Sequence, residues 1–239
     1  MKKNVSKLTL ILSLFSMVLI FLYMIFTSEN FNIKHIVFSG NEKIEESEIR
    51  EILNINENRN IFMYSIKDMK EELSKDPYIE SVDIKIKLPN TFNINISKRE
   101  EKAIITNEKK HFFIDNKGEI IEEVKNLEKY SENMLVIKLE YDIISSKINY
   151  SDKDDKENVI LLIDSIYNEN LHNKIRTIDL NENLAKIITD DYIEVYLKLD
   201  NNLRYNISMI SSILVDLKSK NKTKGVIDLS NGYALYKER

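Results

Sequence analysis

Two runs, Val82-Asp83-Ile84-Lys85-Ile86-Lys87-Leu88 and Phe92-Asn93-Ile94-Asn95-Ile96-Ser97, decide the fold of the first half of this chain. Apolar and polar residues alternate in both, the period of a strand with one buried face. Pro89-Asn90 between them supplies a turn, so the runs predict a hairpin with both apolar faces on one core. Upstream, Ser65 has the character of a helix N-cap, with Asp68 as a weak capping-box partner. Ile66, Met69 and Leu73 share one face of that helix, and Asp76-Pro77 ends it. Residues 54–60 are polar and interrupt the pattern. Before them, Ile49, Ile52 and Leu53 form the i, i+3, i+4 stripe of a shorter helix. Phe31, Ile33, Ile36 and Phe38 predict a strand that stops at Gly40-Asn41, with a bulge or change of face between Ile33 and Ile36. The order is strand, helix, helix, strand, strand. That is a small α+β unit with both helices on one face of a three-stranded sheet, and an exposed edge of such a sheet can accept a strand from another protein.

Residues 8–26 read LTLILSLFSMVLIFLYMIF, without charge, Pro or Gly. At 1.5 Å per residue they span roughly 28 Å, about one hydrocarbon core. Lys2, Lys3 and Lys7 precede the run and should stay in the cytoplasm, which sends the chain outward beyond Phe26. A cleaved signal peptide has a shorter apolar region and small residues at its end. Here the run ends in bulky Tyr23, Met24, Ile25 and Phe26, so it is expected to remain as an anchor.

Downstream, residues 111–121 predict a hairpin turning at Asn116-Lys117-Gly118. Residues 134–139 form a short apolar strand, and residues 151–158 a polar connection. Val159, Leu162, Ile163 and Ile166 have helical spacing. Three strands follow at 178–180, 184–189 and 193–199, and then a helix with Ile207, Ile210, Leu214 and Leu217 on one side. The chain closes with an apolar strand at 225–229, a turn at Ser230-Asn231-Gly232, and Tyr233-Ala234-Leu235-Tyr236.

The chain has 239 residues, 4 Gly, 2 Pro and no Cys. Disulfides, thiolate metal sites and cysteine nucleophiles are therefore excluded. Of the 35 basic and 39 acidic residues, three basic and no acidic ones lie in the first 26, so the remainder has 32 against 39, a net charge of −7. That balance argues against nucleic acid and anionic lipid as partners. The histidines, His35, His111 and His172, show no ligand spacing, so no metal is expected. Ser219-Lys220-Asn221-Lys222 has the form Ser-x-x-Lys, and Lys222-Thr223-Lys224-Gly225 nearly mimics Lys-Thr-Gly. The two lie too close together, without a Ser-Asp-Asn element, and a Lys-rich turn explains both. Asp152, Asp154, Asp155 and Glu157 lack the Gly and distal Glu of an EF-hand. No phosphate loop is present. No catalytic residue, cofactor or enzymatic activity is expected.

The pattern Phe31-x-Ile33-x-x-Ile36-x-Phe38-x-Gly40-Asn41, with Asn60-Ile61-Phe62 and the hairpin ending at Arg99, resembles a POTRA domain. Behind a single N-terminal anchor it is similar to the FtsQ/DivIB family of cell-division proteins. That family commonly closes this hairpin with Val-x-Glu-Arg-x-Pro-x-Ala. Here Arg99 and Ala103 match, while Lys98 and Glu101 stand at the Glu and Pro positions. Asp115 and Gly118 fall where the family's next hairpin has Asp-x-x-Gly, and the Gly-x-Ile-Asp-Leu ending at 225–229 resembles its last strands.

The resemblance implies a tail at 1–7, a transmembrane helix at 8–26, a POTRA domain at 30–100 and a mostly antiparallel β domain with flanking helices at 101–239. It further implies a divisome scaffold at the septum that binds FtsB/DivIC-like and FtsL-like coiled-coil proteins and helps regulate septal peptidoglycan synthesis. The partner segment carried over by position is Ser230, Asn231, Gly232, Tyr233, Ala234, Leu235 and Tyr236. The rival expectations are a POTRA protein of sporulation or export, and an anchored extracytoplasmic enzyme.

Overall fold

The computed structural model describes residues 2–40, 46–56, 58–107, 109–144, 147–150, 153–181 and 184–239. Its contacts divide the chain into Met1–Lys98 and Arg99–Arg239.

The first unit opens with helix α1 (Lys2–Thr27). Its 21-residue apolar span, Lys7–Thr27, is long enough to cross a membrane, and none of the most apolar part is buried within the chain. A 3-10 turn at Glu29–Phe31 follows. Then come β1 (His35–Ser39), α2 (Glu46–Ile52), a 3-10 turn at Ile61–Met63, α3 (Ile66–Leu73), β2 (Ile79–Lys87) and β3 (Thr91–Lys98). β3 is central, parallel to β1 and antiparallel to β2. Ile84, Phe92, Ile94 and Ile96 from the hairpin meet Ile49, Leu53, Met69 and Leu73 from the helices in one buried core. Ser65 caps α3 by accepting the Asp68 N–H at 3.3 Å.

Three expectations change in this unit. The first strand begins at His35, and Phe31 belongs to the 3-10 turn instead. The broken spacing at Ile33 marks this late entry into the sheet: Ile33 is buried and its N–H donates to Arg59 O. Ile52 leaves the buried stripe and is 38% exposed, because α2 ends there. At the end of β1, Gly40 has φ +89°, and a Cβ there would lie 2.5 Å from Ile96 O. Asn41 lies outside the described residues.

The second unit contains β4 (Ala103–Thr106), β5 (His111–Ile114), β6 (Ile120–Glu123), α4 (Glu128–Ser131), β7 (Leu135–Lys138), β8 (Tyr141–Ile144) and β9 (Lys147–Tyr150). It continues with α5 (Lys153–Asn168), β10 (Ile175–Asn181), β11 (Leu184–Thr189), β12 (Glu194–Lys198), α6 (Leu203–Ser219), β13 (Gly225–Asp228) and β14 (Leu235–Glu238). Nine strands form one sheet in the order β14-β13-β12-β11-β10-β7-β4-β5-β6. Most neighbours are antiparallel, while β4–β7, β7–β10 and β12–β13 are parallel. Val159, Leu162, Ile163 and Ile166 of α5 and Ile207 and Ile210 of α6 pack on inward residues of this sheet, including Ile105, Ile137, Ile178 and Ile187.

Two further expectations are corrected here. The polar stretch before Val159 is no connection from residue 153 onward, because α5 begins at Lys153. The last strand is Leu235–Glu238, so Tyr233 and Ala234 belong to the turn before it.

Candidate partner-binding surface

Among the described residues, β14 forms one edge of the nine-stranded sheet and pairs only with β13. Several side chains pin it from behind. Lys222 Nζ contacts Glu238 at 2.7 Å. Arg239 Nη1 reaches Glu194 of β12 at 2.7 Å. The Tyr196 hydroxyl does most to hold the Glu194 carboxyl below its ordinary pKa; burial, next in size, opposes it, and Arg239 and Lys186 add to the lowering. The Tyr236 hydroxyl donates to Lys224 O at 2.9 Å. Its ring covers Gly225, where an added Cβ would approach the ring to 2.6 Å.

The seven expected contact residues therefore divide. Asn231, Gly232, Tyr233, Ala234 and Leu235 are exposed, Tyr233 at 64% and Leu235 at 57%. Tyr236 is a packing residue of the terminal hairpin. Ser230 turns inward, its N–H and hydroxyl both donating to Asp228 Oδ1. The Ser230 hydroxyl and then its N–H lower the Asp228 pKa. Gly232 has φ +82° with nothing near its α-carbon face, so this glycine serves the turn.

Beside β14 a groove of about 270 Å³ is lined by Ile213, Asp216 and Leu217 of α6, Lys220 and Lys222 just beyond it, Ile227 of β13, and Ala234 and Tyr236. The groove was not legible from sequence, since it needs the packing of α6 against the last hairpin. The groove is mixed in character, with Asp216, Lys220 and Lys222 beside its apolar residues, and it adjoins an open strand edge.

The residues weighed for chemistry are used otherwise. The Ser219 hydroxyl donates to Asp216 O at 2.7 Å, and Lys222 is paired with Glu238. His111 Nδ1 meets the Thr106 hydroxyl, His172 stacks on Tyr167 at 4.5 Å, and His35 starts β1. Among the described residues, no three His, Cys, Asp or Glu side chains converge as metal ligands. Asp152 and the side chains of Asp154 and Asp155 lie outside the described residues, and Glu157 is an exposed residue of α5.

The family model for the FtsQ-type POTRA domain matches residues 31–99. That span takes in β1, both short helices and the β2–β3 hairpin. Residues 31–99 are an FtsQ-type POTRA domain. The similarity extends beyond it. The cell division protein DivIB of Clostridium acetobutylicum is 28% identical over 203 residues, covering 84% of this chain and 80% of that one. DivIB of Clostridium botulinum (strain Loch Maree) is 29% identical over 205 residues, 84% of this chain and 78% of the other. The cell division protein FtsQ of Rickettsia prowazekii is 28% identical over 127 residues, 53% of this chain and 47% of that one. The chain is thus similar to the DivIB proteins along most of its length and to the FtsQ protein over about half of it. The solved extracytoplasmic domain of DivIB from Geobacillus stearothermophilus overlays with a TM-score of 0.37 at 13% identity, over 52% of this chain and 97% of that one.

The POTRA sheet offers two more edges, β1 and β2. β2 presents Lys85 and Lys87, charges of the kind that discourage strand addition. β1 is short, with Val37 exposed. At the far edge of the large sheet, β6 carries Glu122 and Glu123, both exposed. β14 likewise carries exposed charges, Lys237 and Glu238, together with exposed Leu235 and, in the turn before it, Tyr233.

Proposed function

We propose that this chain is a bacterial cell-division scaffold. It is held in the cytoplasmic membrane by residues 8–26, with residues 1–7 in the cytoplasm and the POTRA and β domains outside. At the septum it holds FtsB/DivIC-like and FtsL-like coiled-coil proteins and so helps regulate septal peptidoglycan synthesis. It acts by recognition, without turnover. The names of its relatives support the division role. The observation that carries the binding mode is the open β14 edge, with exposed Leu235 and Tyr233, beside the groove under α6. A partner strand would complete the backbone hydrogen bonds of β14 while an adjoining segment fills the groove.

The test is co-purification of the full chain from its own membranes with identification of what accompanies it. Tyr233→Ala with Leu235→Asp removes exposed apolar surface without touching the core. We expect recovery of the coiled-coil partner to fall about tenfold or more, the range for losing central apolar anchors. Undiminished recovery places the partner elsewhere and overturns the terminal-edge mode.

A further inference from the structure

The last carbonyls of a helix have no amide partner within it, and leaving them bare beside lipid is costly. In α1 this need is met from a distance of 35 positions. Asn60 Nδ2 donates to Ile25 O at 2.9 Å and to Phe26 O at 3.2 Å. The same side chain accepts the Phe62 N–H at 3.0 Å through Oδ1, which starts the Ile61–Met63 turn. Asn60 is 6% exposed. The Phe62 ring then packs edge-on against Phe26 with centroids 6.2 Å apart, and against Phe31 at 5.5 Å. Arg59 braces the turn, donating to Met63 O at 3.4 Å and stacking over Tyr64 at 5.0 Å.

Depth follows from this geometry. The 21-residue span Lys7–Thr27 is about 31 Å long, the thickness of the hydrocarbon core. Phe26 therefore sits at its outer boundary, and Phe62, in ring contact with Phe26, sits there too. Phe62 is 38% and Met63 54% exposed.

We propose that the Ile61–Met63 turn is a membrane-contact site: Phe62 and Met63 enter the outer bilayer interface, and Asn60 locks this seat to the end of the anchor. The occupant is lipid, because the contact with Phe26 sets the depth of these side chains. The binding is apolar, so it works on zwitterionic lipid and agrees with the acidic balance of the chain. The proposal rests on α1 spanning a bilayer.

The chain contains no Trp, so single reporters can be placed in the full protein reconstituted in phosphatidylcholine vesicles. Phe26→Trp marks the helix end, Phe62→Trp and Met63→Trp the turn, and Tyr205→Trp on α6, a residue 67% exposed, marks water. Lipids brominated near the headgroup should quench the 62 and 63 reporters at least about half as strongly as the 26 reporter. Iodide should reach them several-fold less than it reaches 205. Asn60→Ala should reduce lipid quenching at 63 and leave that at 26 unchanged. Quenching at 26 without quenching at 62 or 63 overturns the contact. Shielding of 62 and 63 from iodide and lipid alike, or quenching that depends on protein-to-lipid ratio, identifies a protein occupant and also overturns it. Absence of quenching at 26 instead refutes the anchor itself.

Discussion

Asp115 ties together the β5–β6 hairpin of the second unit. Oδ1 accepts the N–H groups of Lys117 and Glu119, each at 2.8 Å. Oδ2 pairs with Arg99, and the Asp115 side chain is only 2% exposed. Arg99 and Asp115 were both singled out by family resemblance, but their pairing was not legible, because nothing in a 16-residue separation says that two loops converge. Asp115→Ala removes the ion pair and both turn bonds together, so it should cost about 3 kcal/mol, the scale of losing hydrogen bonds to a charged group. Urea unfolding should show a lower midpoint with little change in slope. Tyr141 makes a pH prediction. Burial, with a small push from Glu123, raises its pKa from the usual 10 to about 12, while a hydrogen bond with Asn107 opposes it. The folded state therefore favours the protonated phenol. Its contribution is complete below pH 10 and declines as pH rises toward about 12, because the unfolded chain ionises first. Tyr141→Phe should flatten this alkaline decline in pH-dependent denaturation, with a constant offset for the lost bond to Lys110 O.

At the scale of elements, legibility followed periodicity. The β2–β3 hairpin alternates because one face of the POTRA sheet is covered, and period two records that directly. β4 was not read at all. Ala103, Ile104, Ile105 and Thr106 are all buried, β4 lying mid-sheet with Ala103 and Ile105 in the core shared with α5 and α6. A strand buried on both faces loses alternation, and four residues are too few to announce a run. The start of α5 failed for the opposite reason: its first residues are almost uniformly charged, so no apolar stripe appears before Val159. β14 was misplaced by two residues because Tyr233 and Leu235 look like a buried alternation. In the fold both are exposed, and Tyr236 is the inward residue. Asn60 shows a further limit: its reach to Ile25 and Phe26 depends on tertiary closure, and only the Asn-Ile-Phe pattern hinted at a special position.

At the scale of the whole molecule, the orientation of α1 governs where every surface can act. Lys2, Lys3 and Lys7 flank one end of the span, and Glu29 is the first charge beyond the other. Basic residues near a span are retained in the cytoplasm, while acidic ones contribute little to the choice. With α1 crossing a bilayer once, the β14 edge and the Ile61–Met63 turn, both encoded after it, are expected on the far side. A reporter active only outside the cytoplasm, fused after Arg239, should therefore be active, and a cytoplasm-dependent reporter at the same point should be silent. Replacing Lys2, Lys3 and Lys7 with Gln removes the asymmetry, and the outward fraction should drop while the length of the span is unchanged. Cytoplasmic activity in the unaltered chain would put both surfaces on the wrong side for a septal role, whatever their affinity. Retained outward activity after lysine replacement would instead mean that translocation of the folded mass, not the flanking charge, sets the direction.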